Sequence, residues 1–155
     1  SKKQSTIKIS VPKGVSSGNY MTLNNEGNKG GKGIEPGDLL VYFEEKEHPY
    51  FIRNGIDLFV EAEVPVYLAA LGGKIDIPTI GGKASLKIPP GIQSGQVLRM
   101  RGKGFPKLRG GHRGDQLVRI QVSTPTSISK KEKDLLSELA SLNGKMKTKF
   151  NKVEF

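Results

Sequence analysis

The sequence predicts a mainly β protein: a tandem of two small antiparallel β sandwich or barrel subdomains, the first incomplete, followed by a C-terminal amphipathic helix. Three observations carry this. Short runs of alternating apolar and polar residues recur along the chain. Twenty glycines and nine prolines among 155 residues punctuate those runs, a density that suits tight turns and short strands. A segment near the N-terminus also recurs, without a gap, 77 residues later.

The repeat can be laid out directly. Val11-Pro12-Lys13-Gly14-Val15-Ser16-Ser17-Gly18 aligns with Ile88-Pro89-Pro90-Gly91-Ile92-Gln93-Ser94-Gly95. Leu23 then meets Met100, Gly27 meets Gly104, Gly33 meets Gly110, Gly37-Asp38 meets Gly114-Asp115, and Val41 meets Val118. Turn residues and apolar positions travel together over about 35 residues, as expected of a duplicated structural unit.

Taken in order, the first unit (1–47) offers two alternating stretches, one through Ile7 and Ile9 and one through Leu39, Val41 and Phe43. The second unit (48–125) is richer. Ile56, Leu58, Val60, Ala62 and Val64 alternate with polar residues except at Phe59. Ile75/Ile77, Leu86/Ile88, Leu98/Met100 and Val118/Ile120/Val122 give four further runs, with Gly72-Gly73 and Gly81-Gly82 as turns. Val66-Tyr67-Leu68-Ala69-Ala70-Leu71 is too continuous for an edge strand, and Gly72 can cap it, so a short helix is expected there. Under the same offset, residues 48–83 of the second unit map before residue 7. The first unit therefore lacks its first half, and the chain reads as a fragment cut inside its first β unit.

The last segment (126–155) changes period. Ser129-Lys130-Lys131-Glu132 is a capping box, and Leu135, Leu136, Leu139, Ala140 and Leu142 follow at helical spacing to Asn143-Gly144. A helix over about 130–142 results. Met146, Phe150 and Val153 recur at i, i+4, i+7, which suits either a second amphipathic helix or a loose tail.

Composition excludes several classes of function. Cysteine is absent, which removes disulfides, thiolate metal sites and a cysteine nucleophile. No apolar run approaches the roughly 18–20 residues that span a bilayer, so no membrane partner is expected. His48 and His112 have no second ligand-type cluster beside them and read as surface or turn residues. Gly27 to Gly33 superficially suggests a phosphate loop, but Lys32 precedes Gly33 instead of Ser or Thr. Ser127-x-x-Lys130 coincides with the helix start, where capping accounts for it. No enzyme and no cofactor are expected.

The net charge of +10 suits an anionic partner. Its densest stretch, Arg99 to Gly114, has the basic, glycine-rich composition of a nucleic-acid-binding loop. The repeat supplies a control, because the matching stretch from Thr22 to Gly37 keeps the glycines but carries Asn24, Asn25, Glu26 and Glu35. The duplication preserves backbone geometry and not positive charge, which disfavours nucleic acid and leaves an acidic protein partner as a further option.

One series of residues is similar to a known family. It comprises Val11-Pro12-x-Gly14, Pro36-Gly37-Asp38, His48-Pro49-x-Phe51-x-Arg53-x-Gly55-x-Asp57-Leu58, Ala70-Leu71-Gly72-Gly73, Pro89-x-Gly91, Met100-Arg101-Gly102-Lys103-Gly104, Gly114-Asp115 and Thr124-Pro125. In order, over about residues 7–142, it resembles the C-terminal substrate-binding region of DnaJ-type co-chaperones. The resemblance implies stress-response chaperones that hold unfolded polypeptides and deliver them to a DnaK-type ATPase chaperone. It implies a groove on the first subdomain that takes a client as an added strand, placed here on Ile7, Ile9, Val41 and Phe43, with Ile7 and Val41 foremost. It also implies a homodimer through the extreme C-terminus, placed on the Met146, Phe150 and Val153 stripe and weakened by the surrounding lysines. The zinc-binding cysteine repeats and the J-domain are missing, since His48-Pro49 is followed by Tyr50. No ATPase stimulation and no metal are therefore expected of this chain. The expected location is cytoplasmic. The alternative reading is a basic β-domain that binds nucleic acid, and a purely structural dimerisation scaffold is a third.

Overall fold

Alternating sequence becomes a ladder where a second run lies alongside it. β1 (Tyr20–Leu23) and β2 (Leu39–Tyr42) pair antiparallel, with Tyr20 opposite Tyr42 and Leu23 opposite Leu39. β3 (Ile52–Asn54), β4 (Asp57–Pro65), β7 (Val97–Met100) and β8 (Gln116–Ser123) form a four-stranded sheet in the order β3-β4-β8-β7. β5 (Gly73–Thr79) and β6 (Gly82–Ile88) form a separate hairpin, and α1 (Val66–Leu71) leads into it. The computed structural model describes residues 6–24, 37–142 and 148–154. Gly27 to Gly33, Pro36, Asn143-Gly144, Met146 with its flanking Lys145 and Lys147, and Phe155 lie outside the described residues. The chain divides into two compact units, Ser1–Ser123 and Thr124–Phe155. The mainly β class expected from the sequence holds.

The core sits in the second copy of the repeat. Val60, Val64, Ala69, Ile77, Leu86, Ile88, Ile92, Met100, Val118 and Ile120 form one buried cluster fed by β4, α1, the β5–β6 hairpin, β7 and β8. Fully burying a side chain of this size contributes roughly 1.5–3 kcal/mol, so this cluster dominates the stability of the unit. α1 stops where expected: Gly72 has φ +76, its N–H donates to the Leu68 carbonyl at 2.8 Å, and a Cβ there would meet the Ile88 carbonyl oxygen at 2.8 Å.

The duplication is present in the backbone, bond for bond. All four β1–β2 register pairs reappear 77 residues later as the β7–β8 pairs, from Val97 opposite Arg119 to Met100 opposite Gln116. Phe43 N–H donates to the Asn19 carbonyl at 3.0 Å, as Ile120 N–H does to the Gln96 carbonyl at 2.8 Å. Glu45 N–H donates to Ser17 Oγ at 2.9 Å, and Val122 N–H to Ser94 Oγ at 3.0 Å. The turn glycines agree as well, Gly14 and Gly91 at φ +87 and +80, Gly18 and Gly95 at +91 and +90.

Two expectations change. β4 and β8 pair parallel, from Leu58 beside Gln116 to Pro65 beside Ser123, so the second subdomain is not purely antiparallel. The connection between them passes through α1, the β5–β6 hairpin and β7, long enough to return the chain to the same end of the sheet. The strand expected through Ile7 and Ile9 is also absent: residues 6–12 carry no ladder, and both side chains are 37 % exposed. Alternation makes a strand only when a neighbour accepts its hydrogen bonds, and among the described residues β1 and β2 pair only with each other.

In the second unit, α2 (Lys130–Leu142) begins with the expected capping box. Glu132 N–H donates to Ser129 Oγ at 3.2 Å, and Ser129 N–H to Glu132 Oε1 at 3.3 Å. No α2 side chain is buried, and Leu135, Leu136, Leu139 and Leu142 are exposed. Residues 148–154 are not helical, so the second-helix alternative does not extend over them.

Candidate functional site

Alternation along β1 and β2 sorts their side chains into two faces. Met21, Leu23, Leu39 and Val41, continued by Phe43, are half-buried, whereas Tyr20, Leu40 and Tyr42 stand exposed on the other face. The repeat measures how incomplete this cover is. The counterparts of Leu39, Val41 and Phe43 in the second copy are Gln116, Val118 and Ile120, each 0 % exposed. The same ladder is thus sealed in one copy and open in the other.

The edges differ in the same way. β8 is bonded on one side to β7 and on the other to β4, but among the described residues β2 is bonded only to β1. Under the offset of 77, β4 has no counterpart within the given sequence. Of the expected groove residues, the structure brings Val41 and Phe43 together on this face. Ile7 and Ile9 share no ladder with them. Of the expected dimer stripe, Phe150 and Val153 are 92 % and 66 % exposed, while Met146 lies outside the described residues.

A second concavity, which the sequence reading missed, is a cleft of about 840 Å3 between the Glu45–Arg53 segment and the β5–β6 turn. The rings of His48, Tyr50 and Phe51 lie 4.4–4.8 Å from one another along one side, with Pro78 and Ile80 also in the lining. Ile52, on the outer strand β3, is 69 % exposed there. The run His48-x-Tyr50-Phe51 was its one local signal.

Arg53 fixes the base of this cleft. Its Nη1 donates to the Val15 carbonyl at 2.7 Å and to Glu45 Oε1 at 2.6 Å, its Nη2 to the Gly14 carbonyl at 3.2 Å, and its Nε to the Gly55 carbonyl at 2.8 Å. The guanidinium carbon also sits 3.9 Å from the centre of the Phe105 ring. One side chain thus ties the Pro12–Gly14 turn of the first copy to the 104–114 loop of the second. Close packing reinforces the tie, since a Cβ on Gly14 would fall 2.4 Å from the Pro106 carbonyl oxygen.

Electrostatics in that loop are organised around Asp115. The Gly102 N–H (2.9 Å to Oδ1) and the Arg99 guanidinium (2.6 Å to Oδ2) hold its carboxyl below the ordinary aspartate range. Among the described residues there is no group of three or more His, Cys, Asp or Glu that could hold a metal ion, and no helix is long and apolar enough to cross a membrane.

Comparison with known proteins agrees with this architecture. The profile of the DnaJ C terminal domain matches residues 1–125. Similar curated proteins include the chaperone protein DnaJ of Salinibacter ruber, 43 % identical over 136 residues covering 88 % of this chain and 35 % of that protein. That of Cereibacter sphaeroides is 41 % identical over 157 residues, covering 98 % and 41 %. That of Brevibacillus choshinensis is 46 % identical over 138 residues, covering 89 % and 37 %. The chain therefore spans about two fifths or less of the length of these relatives. A profile match across both copies of the repeat, on a fold that reproduces the repeat bond for bond, places the chain in the DnaJ C-terminal domain family.

Proposed function

We propose that this chain is the client-holding part of a co-chaperone, and that it binds apolar, extended segments of non-native polypeptides without enzymatic activity. The observation that carries the reading is the family match over residues 1–125, and Val41 and Phe43, half-buried on one face of β2, are the side chains assigned to the client. A client added to the first subdomain as a strand would be held by main-chain hydrogen bonds, with its apolar side chains against Val41 and Phe43. Residues 1–47 would form the client-binding subdomain, 48–125 the supporting one, and 126–155 a weak dimer contact through Phe150 and Val153. The relatives' name supports a chaperone role, and the proposal extends it to delivery of clients to a DnaK-type ATPase chaperone in the cytoplasm. The role assigned to residues 1–155 is to hold clients.

The test is binding of a dye-labelled, permanently unfolded polypeptide by anisotropy. Burying one such side chain contributes roughly 1.5–3 kcal/mol, so Val41→Asp and Phe43→Asp should each weaken binding about tenfold or more. Affinity should hold or rise with salt, because apolar burial drives it. Steeply salt-sensitive binding of DNA or RNA, with unfolded polypeptide ignored, would instead establish the nucleic-acid reading.

A further inference from the structure

Beside the aromatic cleft lies a second one, of about 350 Å3, between the β5–β6 turn and the loop that begins at Gly102. Lys83, Lys103 and Arg113 line it, and no carboxylate does. Among the described residues neither Lys83 nor Lys103 has an ion-pair partner. Arg113 donates from Nε and Nη2 to the Gly104 carbonyl at 3.3 and 3.1 Å, which fixes its position but leaves its charge unbalanced. The neighbouring carboxylate, Asp115, is already engaged by Arg99 and the Gly102 N–H.

These cations are not a by-product of the shared turn geometry. At the corresponding positions 77 residues earlier the first copy has Thr6, Glu26 and Pro36. The second copy thus carries three positive charges at positions where the first copy has none. Thr79 and Ile80 line both clefts, so a single path leads from the His48, Tyr50 and Phe51 rings across Ile80 to the three cations. The positive charge is confined to one end of the path, because at the aromatic end Glu45 and Glu47 are matched by Arg53 and Lys46. An occupant whose negative charge is likewise confined to one end matches this path better than a strand charged throughout, which favours a polypeptide over a nucleic acid.

We infer that this path is a second polypeptide site, distinct from the Val41 and Phe43 face, and that it selects extended segments in which apolar residues are followed by Asp or Glu. The apolar part covers the aromatic cleft and the carboxylates balance Lys83, Lys103 and Arg113. The inference rests on the client-holding reading and adds to it a substrate class and a location.

The experiment uses the whole 155-residue chain and two dye-labelled peptides, one with apolar residues followed by three glutamates and one with glutamines in their place. At about 50 mM salt the glutamate peptide should bind about tenfold more tightly, and the gap should close near 500 mM. The double variant Lys83→Gln/Lys103→Gln should erase the gap while leaving the glutamine peptide's affinity unchanged. Both lysines are exposed, so the variant keeps the wild-type circular dichroism. Equal affinity of the two peptides for the wild type, or a gap that survives in the double variant, overturns the inference and leaves the client-holding reading intact. Failure of both peptides to bind, with unfolded polypeptide also ignored, overturns both. Displacement of the glutamate peptide by a short RNA at comparable concentration overturns the choice of a polypeptide occupant.

Discussion

Arg53→Ala should release the first copy of the repeat from the second without unfolding the second. The side chain is only 11 % exposed and serves five partners. Its bonds to the Gly14 and Val15 carbonyls are charge-assisted, and each should contribute about 1–1.5 kcal/mol after partial exposure is allowed for. The stacking on Phe105 adds about 0.5–1 kcal/mol. The ion pair with Glu45, whose carboxylate is 38 % exposed, adds only a few tenths. The loss is then about 3 kcal/mol, or roughly a hundredfold in a local opening equilibrium. Hydrogen exchange read by mass spectrometry should show that acceleration in peptides covering residues 12–20 and 104–114. Peptides from β4, β6 and β8 should be little changed. Arg53→Lys restores a charge but not the fork that reaches three carbonyls, so it should recover less than half of the loss. Unaltered exchange at both sites in Arg53→Ala, or equal acceleration throughout β4 and β8, would refute the idea that Arg53 joins the two copies.

Other expectations follow from paired positions. Gly14→Ala and Gly91→Ala occupy the same turn at nearly the same positive φ, yet a Cβ meets backbone at 2.4 Å in the first and nothing within 4 Å in the second. Urea unfolding and exchange should show about 1–2 kcal/mol of left-handed strain at Gly91 and, on top of the same strain, undocking of the turn at Gly14. For Asp115, the folded-state carboxyl titrates below its unfolded value of about 4, so its contribution is present above that pH and is lost as pH falls through the folded value. Asp115→Asn should therefore lower the urea midpoint at pH 7, with wild type and variant converging toward pH 2. Peptides over residues 18–23 and 37–43 should exchange faster than those over 58–64 and 116–122, since the buried cluster lies in the second copy; equal protection would contradict the open face. Phe150→Asp should abolish a weak, concentration-dependent dimer in sedimentation while the β units stay folded, and a tight dimer indifferent to it would place the interface elsewhere.

How much of this was legible in the sequence depends on what kind of pattern each feature leaves. Period-two alternation announced β4, β5, β6, β7 and β8, because each buries one face against the shared cluster. The capping box announced α2, and the offset of 77 anticipated a register that the backbone then reproduces. Alternation has no direction, however, so the parallel pairing of β4 with β8 left no trace. It is also blind to whether a partner strand exists, which is why Ile7 and Ile9 read as a strand. Val41 and Phe43 were recognisable as one face. The aromatic cleft was not, because the 45–53 segment forms only one wall and the rest comes from Ser17, Leu58, the 78–82 turn and Phe105, far apart in the sequence. Arg53 stood in the quoted motif with no hint that its fork would span residues 14, 15, 45 and 55.

The parallel pairing of β4 with β8 also bears on how the chain is made. Leu58 must wait for Gln116, its neighbour in the ladder, to be synthesised. At about 5–20 residues per second that interval is roughly 3–12 s, during which β4 has neither its central neighbour nor its core. A long apolar strand left waiting is an aggregation hazard. β4 carries its own protection, since Glu61 and Glu63 interrupt the outward face and Pro65 ends the strand. In the finished sheet Glu61 faces Arg119 of β8 at 3.4 Å, so the charge that keeps one nascent β4 from another later helps to recognise the right strand. A member of the DnaJ C-terminal domain family thus passes, while being made, through a state in which its longest strand stands without its central neighbour.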